Sequence, residues 1–114
     1  FLGWAYACKK LYEDAIAECR RAIEIDPDFG NPWNDIGAYL IELGRFDEAI
    51  PYLERATQAT RYESTSFPYF NLGRIYLHKG SPEKAAECFR ASLMANPGYF
   101  PARNALQRLQ RGMN

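Results

Sequence analysis

Apolar residues recur three and four positions apart along most of this chain, the spacing that gathers side chains on one face of an α-helix. Around residue 36 they are Trp33, Ile36, Leu40 and Ile41, with Gly37 on the same face. A second such run follows in Ala49, Ile50, Leu53 and Ala56. Gly44 separates the two runs, and Gly80 separates a corresponding pair further on. A glycine at that place lets the chain turn left-handed and close the first helix. Ser81-Pro82-Glu83 then reads as an N-cap, a proline in the first turn and an acid facing the positive helix end. The pattern predicts antiparallel helical hairpins.

The hairpin pattern repeats. Leu2-Gly3, Ile36-Gly37 and Leu72-Gly73 stand 34 and then 36 residues apart in matching contexts. After Leu2-Gly3 come Tyr6, Ala15, Cys19 and Pro27; after Ile36-Gly37 come Leu40, Ala49 and Leu53; after Leu72-Gly73 come Tyr76, Ala85, Phe89 and Pro97. Trp33 and Tyr69 each precede their pair by three. This arrangement resembles the tetratricopeptide repeat family, whose pattern is W-x2-L-G-x2-Y, then A-x3-F, then P. The resemblance implies an all-α fold, a right-handed α-solenoid of antiparallel helix hairpins in a single domain. Its parts are about three repeats, over about 1–29 (truncated), 30–63 and 66–99, plus a C-terminal capping helix over about 100–111.

The small residues Gly37 with Ala49, and Gly73 with Ala85, mark where paired helices approach closely, and a bulky side chain there costs about 1–3 kcal/mol. The segment from Pro101 to Arg111 reads as a seventh, closing helix, with Ala102, Ala105, Leu106 and Leu109 inward and Arg103, Gln107, Arg108, Gln110 and Arg111 outward. The opposite end is expected to be uncapped, because the chain opens at Phe1 within an apolar pattern and without an initiator Met, as a piece of a longer protein would. Two departures stand out. Arg61 occupies the place of Pro27 and Pro97, and Tyr62-Glu63-Ser64-Thr65 delays the next copy, which predicts a longer connection or a lengthened helix. That link is similar to the one in bacterial pilus-assembly lipoproteins of the family. Pro51 falls inside a helix and removes its bond to the Asp47 carbonyl, which predicts a kink.

Composition leaves this picture intact. The chain has 114 residues, 47% hydrophobic and 25% charged, with formal net charge zero, values of one ordinary globular domain. No run is long and apolar enough for a membrane span. Residues 1–65 carry seven basic and twelve acidic side chains, residues 66–114 seven and two. Such polarity suits a partner of opposite charge order, or self-association. Cys8, Cys19 and Cys88 form an odd set without a C-x-x-C pair, so they predict buried free thiols, a reducing and hence cytoplasmic setting, and no metal site.

No catalytic set is legible. His78 is the sole histidine and sits at a helix end, where a cation is favoured. Glu13-Asp14 and Asp47-Glu48 are expected in the first turns of second helices, complementing the dipole. Gly37 and Gly73 lie inside helices rather than in a phosphate-cradling loop. No cofactor is expected. Zero net charge argues against nucleic acid, and helical repeats that read RNA lack this tryptophan, leucine-glycine and proline pattern.

The resemblance implies that the leading helix of each hairpin lines a concave groove that binds a protein or peptide. The expected contacts are Trp4, Asn34, Asp35, Ala38, Ile41, Phe67, Phe70, Asn71, Arg74 and Leu77. Phe67 and Phe70 would anchor an apolar side chain, and Asn34 and Asn71 would satisfy an extended backbone. Some family members grip chaperone tails through a carboxylate clamp; here Trp4 and Asp35 replace its asparagines, and Phe67 and Asn71 its basic pair, so acidic tails are not expected to bind. The alternatives are a self-assembly or docking module acting through the uncapped N-terminal end, and the regulatory segment of an enzyme.

Overall fold

The structure, a computed structural model, describes the backbone of residues 2–113 and the side chains of residues 3–112. Phe1 and the Leu2 side chain, where the repeat pattern begins, lie outside the described residues. The elements are α1 (Leu2–Ile25), α2 (Gly30–Glu42), α3 (Phe46–Thr57), α4 (Ser66–His78), α5 (Pro82–Ala95) and α6 (Phe100–Met113). Among the described residues there is no strand, only one isolated bridge, and no helix long and apolar enough to cross a membrane. The helices group into two compact units, Phe1–Tyr62 and Glu63–Asn114.

In the first unit, α2 and α3 form the expected hairpin. Gly44 takes φ +75°, the Arg45 N–H reaches the Leu40 carbonyl at 2.8 Å and the Gly44 N–H the Ile41 carbonyl at 2.9 Å. This pair of bonds caps α2 at its carboxyl end. Ile36, Leu40, Ala49, Leu53 and Ala56 are fully buried. Gly37 is pressed against the Leu53 side chain, which leaves no room for a Cβ. α3 runs unbroken through Pro51. The acids Asp47 and Glu48 sit in its first turn as expected.

The first copy of the pattern does not fold as a hairpin. α1 is one continuous helix of 24 residues, so the described chain has six helices rather than seven. The reason lies in Lys10-Leu11-Tyr12, which stands where the other copies have Gly44-Arg45-Phe46 and Gly80-Ser81-Pro82. With no glycine to take positive φ, reversing the chain would force a non-glycine residue left-handed, at about 1–2 kcal/mol. Glu13 and Asp14 therefore lie in mid-helix, not at a helix start. They pair with Lys9 and Lys10 one turn earlier, at 4.0 and 3.5 Å. α1 packs on α2 through buried Ile16 and a tilted contact between Tyr12 and Tyr39, ring centroids 5.8 Å apart.

The segment after α3 is the longer connection, and it is tied down. A parallel bridge pairs Phe29 with Arg61, through bonds from the Gly30 N–H to the Arg61 carbonyl and from the Arg61 N–H to the Asp28 carbonyl, both 3.0 Å. Arg61 also pairs with Asp26, and Tyr62 lies over Gly30 so closely that a Cβ there would collide with its ring. Arg55 donates to the Pro27 carbonyl at 2.9 Å and stands 5.2 Å from the centre of the Trp33 ring.

In the second unit, α4 and α5 form the other hairpin. Gly80 takes φ +78°, and the Ser81 N–H reaches the Tyr76 carbonyl at 2.8 Å. Ser81 stands at the N-cap with Pro82 behind it, but its hydroxyl makes no capping bond. Gly73 abuts the Phe89 ring, with no space for a Cβ. α6 closes against α5: Ala102 is buried with Ala85 and Phe89, and Ala105, Leu106 and Leu109 pack on them. Ser66 and Ser92 are buried together, the Ser92 hydroxyl donating to the Ser66 carbonyl at 2.8 Å.

Candidate functional site

α4 presents the expected residues of the second unit at successive turns. Phe67 is 43% exposed and meets the Tyr99 ring edge-on at 5.2 Å. Phe70 is half-buried between two rings, Tyr99 at 5.5 Å and Phe89 at 5.6 Å. It is thus part of the wall rather than its surface. Asn71 is buried and accepts a bond from Arg74 at 3.1 Å. Leu77 is 40% exposed one turn on. Burial pushes the Tyr99 hydroxyl above its usual pKa, and the nearby Arg74 charge pulls the other way. Tyr99 was invisible as a site residue in sequence because it belongs to the turn before α6; its aromatic character beside Pro97-Gly98 was the available signal.

In the first unit the expected residues separate. Asn34 and Ile41 are buried, Ala38 is half-buried and Asp35 exposed. The surroundings of Asp35 nonetheless strip enough water from its carboxylate to raise its pKa. Trp4 lies on α1, 75% exposed, away from those residues and on the wall of a separate open cleft. That cleft, of about 740 Å³, is lined by Trp4, Cys8, Tyr12 and Lys9 of α1 and by Leu43 and Arg45 of the α2–α3 turn, among others. Arg45 binds Glu48 there at 3.1 Å, which holds the Glu48 carboxyl below its usual pKa.

The three thiols are free and half-buried rather than fully buried. Burial pushes Cys88 up to about 11, and raises Cys19 with help from the Asp35 and Glu18 charges. Neither is poised as a nucleophile, because the thiolate is the reactive form. Among the described residues no group of histidine, cysteine and carboxylate could hold a metal.

The family model described as Tetratricopeptide repeat matches residues 28–94, and a second model of the same description matches residues 1–29. The chain is 35% identical over 79 residues to the type IV pilus assembly protein PilF of Pseudomonas aeruginosa, which covers 69% of this chain and 31% of that protein. It is similar to the solved structure of P. aeruginosa PilF, at TM-score 0.78 and 30% identity, covering 85% of this chain and 44% of that one. It shares its fold with the first repeat domain of Spaghetti (RPAP3) bound to an HSP90 peptide, at TM-score 0.79 and 20% identity, covering 97% of this chain and 86% of that one. The chain spans a third or less of the length of the curated relatives it matches: 31%, 17% and 21% of three of them.

Proposed function

Since the chain belongs to the tetratricopeptide repeat family, we propose that it is a protein-interaction scaffold that holds a segment of a partner protein on the outward side of its leading helices. One observation carries this reading. Phe67 keeps an exposed aromatic surface on a platform stiffened edge-on by Tyr99, beside the Asn71–Arg74 pair. An exposed aromatic held rigid costs little entropy on binding, and a nearby guanidinium supplies directional donors to carbonyl or carboxylate oxygens. Leu77 lies on the same helix for a second apolar contact. In the first unit, Asp35 and Ala38 are the accessible part of the corresponding face, with Asn34 and Ile41 buried behind them. Trp4 contributes separately from α1.

Solved relatives of this fold have been captured with peptides, among them the Spaghetti domain named above and the Yersinia enterocolitica secretion chaperone SycD with a peptide of the translocator YopD. Those likenesses, at 20% and 15% identity, support the fold; the binding reading rests on the α4 platform. Panning a random peptide library over the purified chain tests it. Enriched sequences should lose binding to a Phe67→Ala, Arg74→Ala double variant of unchanged helicity. Retained binding would move the site elsewhere.

A further inference from the structure

The two halves of α1 are each incompletely covered, and their counterparts in the other hairpins cover one another. In the second half, Ala15, Cys19 and Ala22 hold the places of Ala49, Leu53 and Ala56 on α3, and of Ala85, Phe89 and Ser92 on α5. All six counterparts are at 0% exposure, whereas the three residues of α1 are only half-buried. In the first half, Gly3 and Tyr6 hold the places of Gly37 and Leu40 on α2. Gly37 is pressed on Leu53 and Leu40 is fully buried, but a Cβ at Gly3 would meet open space and Tyr6 is 70% exposed. What each half lacks is therefore the other half.

The halves cannot meet in a straight helix, where residues 3 and 19 stand about 24 Å apart. Reversal at Lys10-Leu11-Tyr12, the place of the Gly44 and Gly80 turns, would join them, and residues 1–29 match a repeat model as one unit. Two residues set the balance. Lys10 lacks the access of glycine to positive φ, which favours the straight form. Cys19 is smaller than Leu53 or Phe89, so closing gains less apolar contact than in the other hairpins. Against both stands the apolar surface of Tyr6 and of the Ala15–Ala22 face, which the straight form leaves in water. Small opposing terms of this kind make two packings of one segment accessible. We infer that α1 is a two-state element, straight in this structure, whose first half Leu2–Lys9 folds back on its own second half to complete a third hairpin. Closure brings Gly3 onto Cys19 and turns Trp4 to the place that Ala38 holds on α2, on the outward side of the leading helices. It also takes Trp4, Cys8 and Lys9 off the wall of the cleft beside the α2–α3 turn. One large aromatic thus moves between the cleft and the leading-helix face, and the α4 platform plays no part in the movement.

A disulfide reads the closed state. With Cys8 and Cys88 replaced by alanine, Gly3→Cys in dilute solution under mild oxidation should form an intrachain bond with Cys19, because closure sets the two within reach and the straight helix does not. Ala5→Cys is the control. A helix turns about 200° in two residues, so a cysteine at position 5 faces away from Cys19 in the hairpin, whereas a merely frayed end would oxidise at either position alike. Gly3 and Ala5 are both exposed, so neither variant disturbs the fold. Lys10→Gly, which supplies the turn residue of the other hairpins, should speed formation of the bond from position 3 about tenfold. Absence of an intrachain disulfide from position 3, equal rates from positions 3 and 5, or no gain from Lys10→Gly would each overturn the assignment.

Discussion

A methyl group added at Gly37 would overlap the Leu53 side chain, and at Gly73 the Phe89 ring, whereas at Gly3 it would meet open space. These three glycines hold the same place in the repeat, so the same substitution should change sign along the chain. Gly73→Ala should destabilise by about 1–3 kcal/mol through overpacking. Gly3→Ala should stabilise α1 by up to about 1 kcal/mol, because alanine loses less entropy in a helix. Urea unfolding of the two variants checks both. The buried serines give an asymmetric pair as well. Ser92 bonds both the Ser66 hydroxyl and the Ser66 carbonyl, so Ser92→Ala removes two buried bonds and should cost about 1–3 kcal/mol, while Ser66→Ala leaves the carbonyl bond in place and should cost less. Cys88 carries a pH signature. Its folded pKa, about 11, lies above the ordinary thiol value of 9.0 because burial penalises the thiolate, so folding favours the neutral thiol. That contribution is complete below pH 9 and fades as the pH rises from 9 toward 11. Alkylation of Cys88 at pH 8 should accordingly be slower in the folded chain than in urea.

Each hairpin turns where a glycine follows the helix, and α1 goes straight where lysine stands instead. The closures of α2 and α4 were legible in sequence because Gly44 and Gly80 are local signals with a local physical cause. The continuity of α1 was less so. Tyr6, Ala15 and Cys19 keep the hairpin spacing, and that spacing alone suggested a turn that the residues at 10–12 do not encode. Gly80→Ala should cost about 1 kcal/mol or more, since its φ of +78° strains any side chain. Lys10→Gly should lower the helicity of α1, seen by circular dichroism and by faster amide exchange at residues 9–13, through the loss of propensity and of the Lys10–Asp14 pair. The position of α6 was also readable, because its four apolar residues repeat with helical spacing and found Ala85 and Phe89 waiting.

Over the whole chain, charge is divided as the sequence indicates: residues 63–114 carry seven basic and three acidic side chains, and residues 1–62 seven and eleven. Which leading-helix residues face outward was only half legible. Phe67, Leu77 and Asp35 are accessible, but Asn34, Asn71 and Ile41 are buried, and Phe70 is drawn inward by Phe89 and Tyr99 from beyond its own helix. Tyr99 joins the platform for the same reason, since spacing within one helix carries no information about another. Chaperone tail peptides ending in acidic residues should show no saturable micromolar binding by calorimetry, because the Asp35 charge repels a carboxylate and the exposed Phe67 ring offers it no cation.

The clasp of Arg61 and Tyr62 on Asp26 and Gly30 has a bearing on where the polypeptide can be cut. It fastens the connector as far as Tyr62, so that Glu63 is exposed just beyond the last fastened residue. A glutamate-specific protease should therefore nick first after Glu63, leaving the helical peptide bonds near Glu54 and Glu83 intact for longer. Loosening the clasp with Tyr62→Ala should extend the vulnerable stretch back toward Gln58.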